Sequence, residues 1–421
     1  MKVLVIGNGA REHALVWKIA QNPRVADIYA LPGNAGTATI ARNIAIPLSD
    51  IPAIVSKAQE LKVGLVVVGP EAPLAAGITD MFDKAGIPVF GPSGAAARLE
   101  SSKSFARGLM AGRGIPCAAG REFTDYAEAK SYLRAQAAPV VVKADGLAAG
   151  KGVTVAGTIP EALSALDSIM KARVFGSAGD RVIIEECLVG REVSLLAFSD
   201  GKTVIPMVPA CDYKRVSDGD AGPNTGGMGS YSPPGFFDEQ MVSQVTASII
   251  KPVIDAMAER GSPYRGVLYT GLIMTAQGPR VLEFNARFGD PETQAILPRL
   301  ETDLVDIMLA TVNGTLDRVK IVWSRDACTG VVLASGGYPG DYTTGNVISV
   351  SGKLEKGVNI FYAGARRRED GQVVTDGGRV LTVTATGRTL KEARETAYRN
   401  IQYVNFTGMH YRRDIAAREV N

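Results

Sequence analysis

The stretch VVVKADGLAAGKGVTVA, residues 140–156, decides between two kinds of nucleotide-binding loop. Val140–Ala144 and Val153–Ala156 are short apolar runs that predict two strands joined by a glycine-rich segment. A Walker A loop would need one more residue before its Gly-Lys pair, a Ser or Thr in place of Gly152, and a helix after it. The sequence therefore predicts a glycine-rich β-hairpin, a flap whose backbone N–H groups can fold over a triphosphate.

Charged side chains lie in the strands around this flap. Lys143 stands between Val142 and Ala144, and because burial of a lone ammonium is costly, we expect it to have an anionic partner. The simpler alternative is a lysine whose stem lies on the surface and whose ammonium reaches water. After the flap, Ile183–Leu188 and Gly190–Ser194 resemble a hinge for a nucleotide base, although an acidic strand end is more often a solvated edge.

The pentapeptide VLEFN, which ends at Asn285, carries the strongest chemical signal of the chain. Alternation along a strand directs Leu282 and Phe284 to the core and places Glu283 on the face of Asn285. A carboxylate beside a carboxamide oxygen suits Mg²⁺, and substrate phosphates and water would complete the site because the preceding strand contains no acid. Arg287 follows and would meet developing negative charge. The competing interpretation is a hydrogen-bonded polar pair at a sheet edge.

Strands and helices alternate over the first hundred residues, which predicts an open parallel sheet with helices on both faces. The first strand leads into Gly7-Asn8-Gly9-Ala10-Arg11-Glu12, a glycine loop that opens a helix and offers N–H groups to a phosphate. The third glycine of the dinucleotide fingerprint falls on Glu12, and the second strand lacks the acid that binds ribose in NAD proteins. Arg11 favours a phosphorylated small molecule over NAD, against the alternative of a tight structural turn.

Changes of pattern along the chain predict four units. Residues 1–102 form the open α/β domain, and residues 328–421 form a small β-rich domain that ends in a helix. Between them, residues 103–189 form a compact segment that contains the flap, and the chain after Gly190 is rich in strands. The predicted fold is a multidomain α/β and α+β arrangement.

Composition limits the classes of function. The 421 residues include 46 Lys and Arg against 43 Asp and Glu, a formal net charge of +3, which argues against a nucleic-acid binder. Four cysteines without CxxC spacing and only two histidines argue against a zinc cluster and suit a reducing cytoplasm. No uncharged stretch approaches the roughly 18–20 apolar residues of a membrane span. We expect a cytoplasmic protein that binds neither nucleic acid nor membrane and is a monomer or weak dimer.

Taken together, the motifs resemble those of the glycinamide ribonucleotide synthetases, a family of the ATP-grasp superfamily. The resemblance covers nearly the full length in the expected order, and its most specific run is Asp218–Pro233. The matching segments are Gly7–Ala14, Gly69–Leu74, Ser102–Phe105, Lys143–Gly152, Asp212–Arg215, Asp218–Pro233, Glu283–Gln294 and Tyr411–Ile415. The resemblance implies a two-lobed ATP-grasp core between the N-terminal and C-terminal domains. Residues 103–120 and 190–327 would form the main lobe with the metal site, and residues 121–189 would form the smaller lobe with the flap.

The resemblance also implies a reaction. ATP would phosphorylate the carboxylate of glycine, and the amine of 5-phosphoribosylamine would attack the acyl phosphate to give glycinamide ribonucleotide, ADP and phosphate. This is a step of de novo purine biosynthesis. ATP would be the co-substrate and Mg²⁺ or Mn²⁺ the metal, so the implied partners are small molecules.

By the same resemblance, particular residues take four roles. The catalytic group would contain Arg287, Lys143 and Asp212. ATP would be bound by Lys103, Lys143, Gly150, Lys151, Gly152, Glu185, Glu186, Leu188 and Glu192. Glycine and phosphoribosylamine would meet Gly9, Arg11, Glu12, Glu71, Asp212, Asn224, Thr225, Gly226 and Gly227. The metal would be held by Glu283 and Asn285.

Three other functions are open to the sequence. A nicotinamide-dependent oxidoreductase built on the N-terminal domain would leave the flap and the Glu-x-Asn pair unexplained. A non-catalytic nucleotide sensor would have less need of Lys143, Glu283, Asn285 and Arg287. A carboxylate–amine ligase for another acid and amine is the third alternative, and the Asn224–Gly229 loop favours glycine and phosphoribosylamine over it.

Overall fold

The computed structural model of the protein describes residues 1–148 and 151–420. It contains a five-stranded parallel sheet, two four-stranded antiparallel sheets and a five-stranded antiparallel sheet, besides three strand pairs. This arrangement confirms the predicted multidomain α/β and α+β fold. In the part of the chain that is described, no helix is both long and apolar enough to cross a bilayer.

An open parallel sheet forms in the first hundred residues, as the alternating pattern predicts. Its elements are β1 (Lys2–Gly7), α1 (Ala10–Ile19), β2 (Asp27–Pro32), β3 (Arg42–Asn43), α2 (Ile51–Leu61), β4 (Leu65–Val68), α3 (Glu71–Ala75), α4 (Ile78–Lys84), β5 (Val89–Phe90) and α5 (Arg98–Ser101). The strand order is β3-β2-β1-β4-β5, so the sheet changes its direction of growth between β1 and β4. The loops after these two strands flank the crevice in which open α/β sheets bind ligands.

The smaller lobe has a sheet and a hydrophobic core of its own. After α6 (Lys103–Gly112), its elements are β6 (Gly120–Phe123), α7 (Tyr126–Arg134), β7 (Val140–Ala144), β8 (Val153–Ala156), α8 (Ile159–Leu166) and β9 (Val182–Glu186). The strand order is β6-β9-β7-β8, and Leu133, Val142 and Leu166 belong to a core cluster separate from those of the other sheets. Strands β7 and β8 are antiparallel, which confirms the predicted hairpin.

The main lobe is built on a second antiparallel sheet. Its elements are β10 (Arg191–Asp200), β11 (Val204–Pro206), β12 (Cys211–Asp212), β13 (Arg215–Ser217), β14 (Ala221–Asn224), β15 (Gly229–Ser232), α9 (Glu239–Val245), α10 (Lys251–Glu259), β16 (Arg265–Thr275), β17 (Gly278–Asn285), α11 (Glu292–Ile296) and α12 (Leu304–Asn313). Strands β11-β10-β16-β17 form the sheet, and α12 packs against β10 and β16. A π-helical turn, Thr246–Ile250, joins α9 to α10.

The C-terminal strands continue a sheet that begins in the main lobe. Their elements are β18 (Ala327–Ala334), β19 (Ser349–Val350), β20 (Val358–Tyr362), β21 (Ala365–Arg367), β22 (Val373–Thr375), β23 (Arg379–Gly387), α13 (Leu390–Ile401), β24 (Val404–Asn405) and α14 (Ala417–Val420). The strand order β12-β15-β18-β23-β20 joins the two regions, and α13 packs on β18 and β23. Because β12 carries Asp212, the C-terminal strands help to position a predicted site residue.

The Tyr411–Ile415 motif attaches the end of the chain to the main lobe. The side chain of Arg412 is fully buried and forms ion pairs with Asp414 and Asp220. Its guanidinium carbon lies 4.5 Å from the ring centroid of Tyr213, the residue after Asp212. The motif therefore has a structural function, since it supports the strand that carries Asp212.

Candidate active site

Lys143 and Glu185 form a buried ion pair at the base of the flap. The Nζ of Lys143, on β7, lies 2.6 Å from Oε2 of Glu185, on β9. The other carboxylate oxygen accepts a hydrogen bond of 2.5 Å from Nη1 of Arg107, on α6. Lys143 also donates to the carbonyl oxygen of Leu282 at 3.3 Å. The anionic partner expected for Lys143 is thus present in the protein. The ammonium of Lys143 adjoins β17, the strand with the predicted metal ligands Glu283 and Asn285, which are called the metal pair below.

Lys103, at the start of α6, contacts the first part of the flap. Its Nζ donates to the carbonyl oxygen of Gly146 at 3.1 Å. The backbone N–H of Ser104 donates to Oδ1 of Asp145 at 2.6 Å, which fixes the same loop to the helix. Burial lowers the pKa of Lys103. Gly150, also predicted to bind ATP, lies outside the described residues.

The other residues predicted to bind ATP lie after the flap and at the hinge. Lys151 is exposed, Gly152 is buried, and Leu188 is half-buried in the segment that follows β9. Glu186 is exposed, and its Oε1 accepts a hydrogen bond of 2.8 Å from the backbone N–H of Ala119. The predicted base hinge at Glu186 is therefore attached to the segment around Ala119, which leads into the smaller lobe.

Lys214, which is outside the predicted set, joins two predicted acids. Its Nζ lies 3.0 Å from Oδ1 of Asp212 and 2.5 Å from Oε2 of Glu192. Burial raises the pKa of the Asp212 carboxyl, while the two carboxylates raise the pKa of Lys214 above its usual range against the effect of burial. The lysine links the hinge strand β10 to the predicted glycine region at β12.

Glu283 and Asn285 lie together as predicted, but Leu282 does not lie in the core. Nδ2 of Asn285 donates to Oε1 of Glu283 at 3.3 Å. A register shift in the pairing of β16 with β17 leaves Leu282 without an opposite residue, so Val281 lies in the core in its place, while Phe284 lies in the core as predicted. The β-bulge makes the predicted core position of Leu282 wrong, because simple alternation assumes an unbroken ladder.

The two oxygens on β17 fit Mg²⁺ as part of a ligand set. Among the described residues, no group of three or more His, Cys, Asp or Glu side chains could hold a metal ion by itself. Mg²⁺ prefers oxygen ligands and commonly keeps waters and substrate phosphates. Glu283 is close enough to Lys103 to offset part of the lowering that burial imposes on the pKa of this lysine. The metal pair therefore adjoins a predicted phosphate contact.

Arg287 is held between the metal pair and two carboxylates of the N-terminal domain. Its Nη2 lies 2.9 Å from Oε1 of Glu100 and donates to Oδ1 of Asn285 at 3.2 Å, and its Nε lies 3.4 Å from Oε2 of Glu71. Burial disfavours the charged guanidinium, but these two carboxylates outweigh that effect and raise the pKa of Arg287. Glu71 follows β4, so a permanent positive charge connects the metal pair with the crevice of the parallel sheet.

The glycine loop after β1 is supported from beneath by Glu12. Oε2 of Glu12 accepts the N–H of Gly9 at 2.6 Å, and Oε1 pairs with Nε of Arg11 at 2.5 Å. Gly7 has φ +126°, and a Cβ there would lie 2.5 Å from Cγ of Glu12; one at Gly69 would lie 2.0 Å from Oε1. Glu12 is only 2% exposed, so its position favours a supporting role. Arg11 is also buried, and its Nη1 donates to the carbonyl oxygen of Phe288 at 3.1 Å.

Asn34, which the motifs do not single out, supports the same loop from the segment after β2. Its Nδ2 donates to the carbonyl oxygens of Asn8 at 2.9 Å and Gly9 at 3.2 Å, and to that of Tyr362 at 2.7 Å. The available signal is the Gly33-Asn34 pair directly after a strand, at the same sheet edge as the glycine loop. The C-terminal domain thus also contacts this crevice.

The predicted glycine-handling turn, Asn224–Gly227, begins at the end of β14 and adjoins the segment with Lys214. Oγ1 of Thr225 donates to the carbonyl oxygen of Lys214 at 2.8 Å and accepts from the N–H of Gly227 at 2.9 Å. The N–H of Gly226 donates to the hydroxyl of Tyr338 at 3.0 Å. The turn therefore lies near Asp212 and touches the C-terminal domain.

A buried cluster of Ser194, Tyr269 and Glu292 lies behind this region. Oε1 of Glu292 accepts hydrogen bonds from the Tyr269 hydroxyl at 3.0 Å and the Ser194 hydroxyl at 3.2 Å. Burial, and then the charge of Asp212, raise the pKa of Glu292 to about 7. The position of Glu292 five residues after Arg287 is the one sequence signal for this cluster.

Comparisons with known families match three successive parts of the chain. The N domain of phosphoribosylglycinamide synthetase matches residues 1–100, its ATP-grasp (A) domain matches residues 101–293, and its C domain matches residues 328–418. These are the three regions in which the parallel sheet, the flap with the metal pair, and the C-terminal strands lie.

Named relatives resemble the chain over its whole length. A phosphoribosylamine–glycine ligase of Nostoc sp. is 51% identical, with 99% of each chain covered, and one of Vibrio cholerae is 50% identical, with 100% and 99% covered. The crystal structure of phosphoribosylamine–glycine ligase from Thermotoga maritima is 32% identical, with a TM-score of 0.86 over 99% of this chain and 100% of that one.

A more distant structure shares the fold alone. It is the biotin carboxylase domain of Hydrogenobacter thermophilus 2-oxoglutarate carboxylase, with 16% identity and a TM-score of 0.76 over 97% of this chain and 91% of that one. Identity near one half over the full length, together with the matches to all three domains, shows that the chain belongs to the phosphoribosylglycinamide synthetase family.

Proposed function

We propose that the protein joins glycine to 5-phosphoribosylamine with ATP and so forms glycinamide ribonucleotide in purine biosynthesis. A carboxylate oxygen of glycine attacks the γ-phosphorus of ATP, the bond from this phosphorus to the β,γ-bridging oxygen breaks, and ADP leaves. The amine nitrogen then attacks the carbonyl carbon of glycyl phosphate, the carbon–oxygen bond to phosphate breaks, and the nitrogen loses a proton. Full-length identity of about 50% to phosphoribosylamine–glycine ligases carries this proposal.

ATP is assigned to the junction of the smaller and main lobes. Lys103 and Lys143 would contact its phosphates, together with Lys151 and Gly152 of the flap. Glu186 and Leu188 would offer backbone groups to adenine, and Glu192 would bind the ribose. Glu185 is also assigned to ATP binding, and its pairing with Lys143 and Arg107 supports a role in placing the phosphate-binding lysine.

Mg²⁺ or Mn²⁺ is assigned to Glu283 and Asn285. When bound, the ion would neutralise charge on the β- and γ-phosphates. Arg287, which the carboxylates of Glu71 and Glu100 hold in its charged form, would then stabilise the transferring phosphoryl group. Because glycine and the amine supply the reacting groups, the protein has no need of a covalent nucleophile.

The two other substrates are assigned to opposite sides of Arg287. The crevice of the parallel sheet, with Gly9, Arg11 and Glu71, would receive the phosphoribosyl group, since helix N-termini at this edge bind phosphates. Asp212 and the Asn224–Gly227 turn would receive glycine. Contacts of Arg287 with Glu71 and of Lys214 with Asp212 support a single continuous site.

The competing functions lose support. An oxidoreductase would not account for the flap and the metal pair, and relatives near 50% identity favour ligation of glycine over ligation of a different acid and amine. A sensor without catalysis would have no need for Lys143, Glu283 and Arg287 to meet at one junction.

The test is ADP release from Mg²⁺-ATP and glycine, with and without phosphoribosylamine formed in situ from ribose 5-phosphate and ammonia. We expect release that depends on both glycine and the amine, with glycinamide ribonucleotide formed in equal amount. Omission of glycine, or its replacement by alanine, is the control for the acid. ADP release by the folded protein that is independent of the amine would overturn the proposal.

A further inference from the structure

Arg379, the first residue of β23, connects two loops of the main lobe from the C-terminal domain. Its Nη1 donates to the carbonyl oxygen of Gly226 at 2.7 Å and to that of Asp290 at 3.0 Å. The same nitrogen lies 3.2 Å from Oδ1 of Asp290. One guanidinium nitrogen therefore holds the predicted glycine-handling turn against the loop that follows Arg287.

The turn is shaped to lie against this guanidinium. A Cβ at Gly226 would lie 3.0 Å from Cζ of Arg379 and 3.2 Å from Nε and Nη2. Gly227 has φ +111°, a conformation that residues with a side chain rarely adopt. Gly226 is thus explained by the close approach of an arginine that is about 150 residues away in the sequence. Gly227 is explained by its positive φ and by Pro291, whose Cδ would lie 2.4 Å from an added Cβ.

Two guanidinium nitrogens of Arg379, Nε and Nη2, donate no hydrogen bond to the part of the chain that the structure describes. Within residues 1–148 and 151–420, the side-chain hydrogen bonds and the ion pair of Arg379 all use Nη1, and the side chain is 23% exposed. Nε and Nη2 lie along one edge of the planar group and together form the two-pronged donor that binds carboxylates and phosphates.

The same arginine lies near the predicted phosphate loop. Asp290 is close enough to this loop that a Cβ at Gly9 would lie 3.3 Å from its Oδ2. Arg379, Arg11 and Arg287 all act on the Asp290 carboxyl and together hold its pKa below the usual range against the effect of burial. Arg379 therefore lies where the assigned glycine and phosphoribosyl regions meet.

We propose that Arg379 is a substrate-binding residue: Nη1 fixes the Gly226–Gly227 turn against Asp290, and the Nε–Nη2 edge binds a substrate anion. The anion is a carboxylate or a phosphate monoester, because two parallel N–H donors bind the paired oxygens of either group in the same way. The inference rests on the proposed function, which supplies one substrate of each kind. It adds a contact from the C-terminal domain to the site.

Steady-state kinetics of Arg379→Ala and Arg379→Lys test this assignment, with Arg366→Ala as the matched control. Arg366 is an exposed arginine of the same domain that pairs with Asp376 at 3.1 Å. We expect Arg379→Ala to raise the KM for glycine or for phosphoribosylamine at least tenfold with a smaller change in kcat. Arg379→Lys keeps the positive charge but not the two parallel N–H donors, so its KM should lie between those of the wild type and Arg379→Ala. Arg366→Ala should change neither KM by more than twofold.

Direct binding separates the two anions and the two proposals. Calorimetry with glycine alone and with ribose 5-phosphate alone measures the carboxylate and the phosphate independently of turnover. A weaker affinity for one of them in the Arg379 variants identifies the bound anion, even if the wild type were to fail the ligation assay. KM and Kd values within twofold of wild type for both substrates, in a variant with a lowered melting temperature, would reduce Arg379 to a structural residue. Should Arg379→Ala not fold, Arg379→Lys decides by the same comparison, with at least threefold weakening expected.

Discussion

The Nζ of Lys143 lies 2.6 Å from Oε2 of Glu185, and both side chains are at most 10% exposed. The same carboxylate accepts from Arg107, so one negative charge serves two cations from two different elements, β7 and α6. Lys143 in turn reaches the carbonyl oxygen of Leu282 on β17. This ion pair therefore connects the smaller lobe to the strand that carries the proposed metal ligands.

Replacement of this carboxylate should destabilise the protein strongly. Glu185→Gln leaves two buried cations beside a neutral amide, and we expect the free energy of unfolding to fall by about 2–4 kcal/mol. Asp255→Asn, which breaks the exposed pair with Lys251, is the control and should cost at most about 1 kcal/mol. Urea unfolding of both variants measures the difference. Equal losses in the two variants would mean that the buried pair contributes no more than a surface pair.

Much of the fold follows from local patterns. The structure confirms strands Val140–Ala144 and Val153–Ala156 at the bounds that their apolar runs predict. The position of Leu282 does not follow, since the bulge that displaces it arises in the pairing with β16. Nothing in the local sequence of β17 marks that register shift.

The site is predictable where ligand chemistry requires neighbouring residues. Glu283 and Asn285 lie two apart on one strand, and they are found together as expected. Arg107 could have been inferred from Lys103, because residues four apart share a helix face. Glu100 meets Ala286 across 186 residues and Arg379 meets Asp290 across 89 residues, and a single sequence carries no signal for such pairs. The roles assigned to individual residues stay predictions.

Gly7 should not tolerate a side chain. Gly7→Ala combines a positive φ with a Cβ 2.5 Å from the buried Glu12, and we expect a loss of about 2–5 kcal/mol in stability. The displaced loop should also raise the KM for phosphoribosylamine at least tenfold. Gly86→Ala is the control, because Gly86 has φ +70° but no atom within 4 Å of the added Cβ. It should cost only about 1 kcal/mol. Similar losses in both variants would contradict the packing argument.

The carboxylate of Glu283 should be essential for turnover. Glu283→Ala removes the one acid of the β16–β17 hairpin, so we expect amine-dependent ADP release to fall by at least 100-fold, roughly 3 kcal/mol of transition-state stabilisation. The melting temperature should change little because Glu283 is only partly buried. Glu369→Ala, at an exposed position of the C-terminal domain, is the control. Near-normal turnover of Glu283→Ala at saturating Mg²⁺ would show that the metal binds elsewhere.

Glu292 should make the stability of the protein depend on pH near neutrality. Burial, with the charge of Asp212, raises the pKa of Glu292 from 4.5 to about 7, so between these values the folded protein binds more protons than the unfolded chain. Stability therefore falls as pH rises through this window, by about 3 kcal/mol at most from this group. Glu292→Gln cannot ionise and keeps an acceptor for Tyr269 and Ser194. Its urea midpoint, relative to wild type, should rise between pH 5 and pH 8. A difference that is constant or falls over this range would place the ionisation of Glu292 below the window.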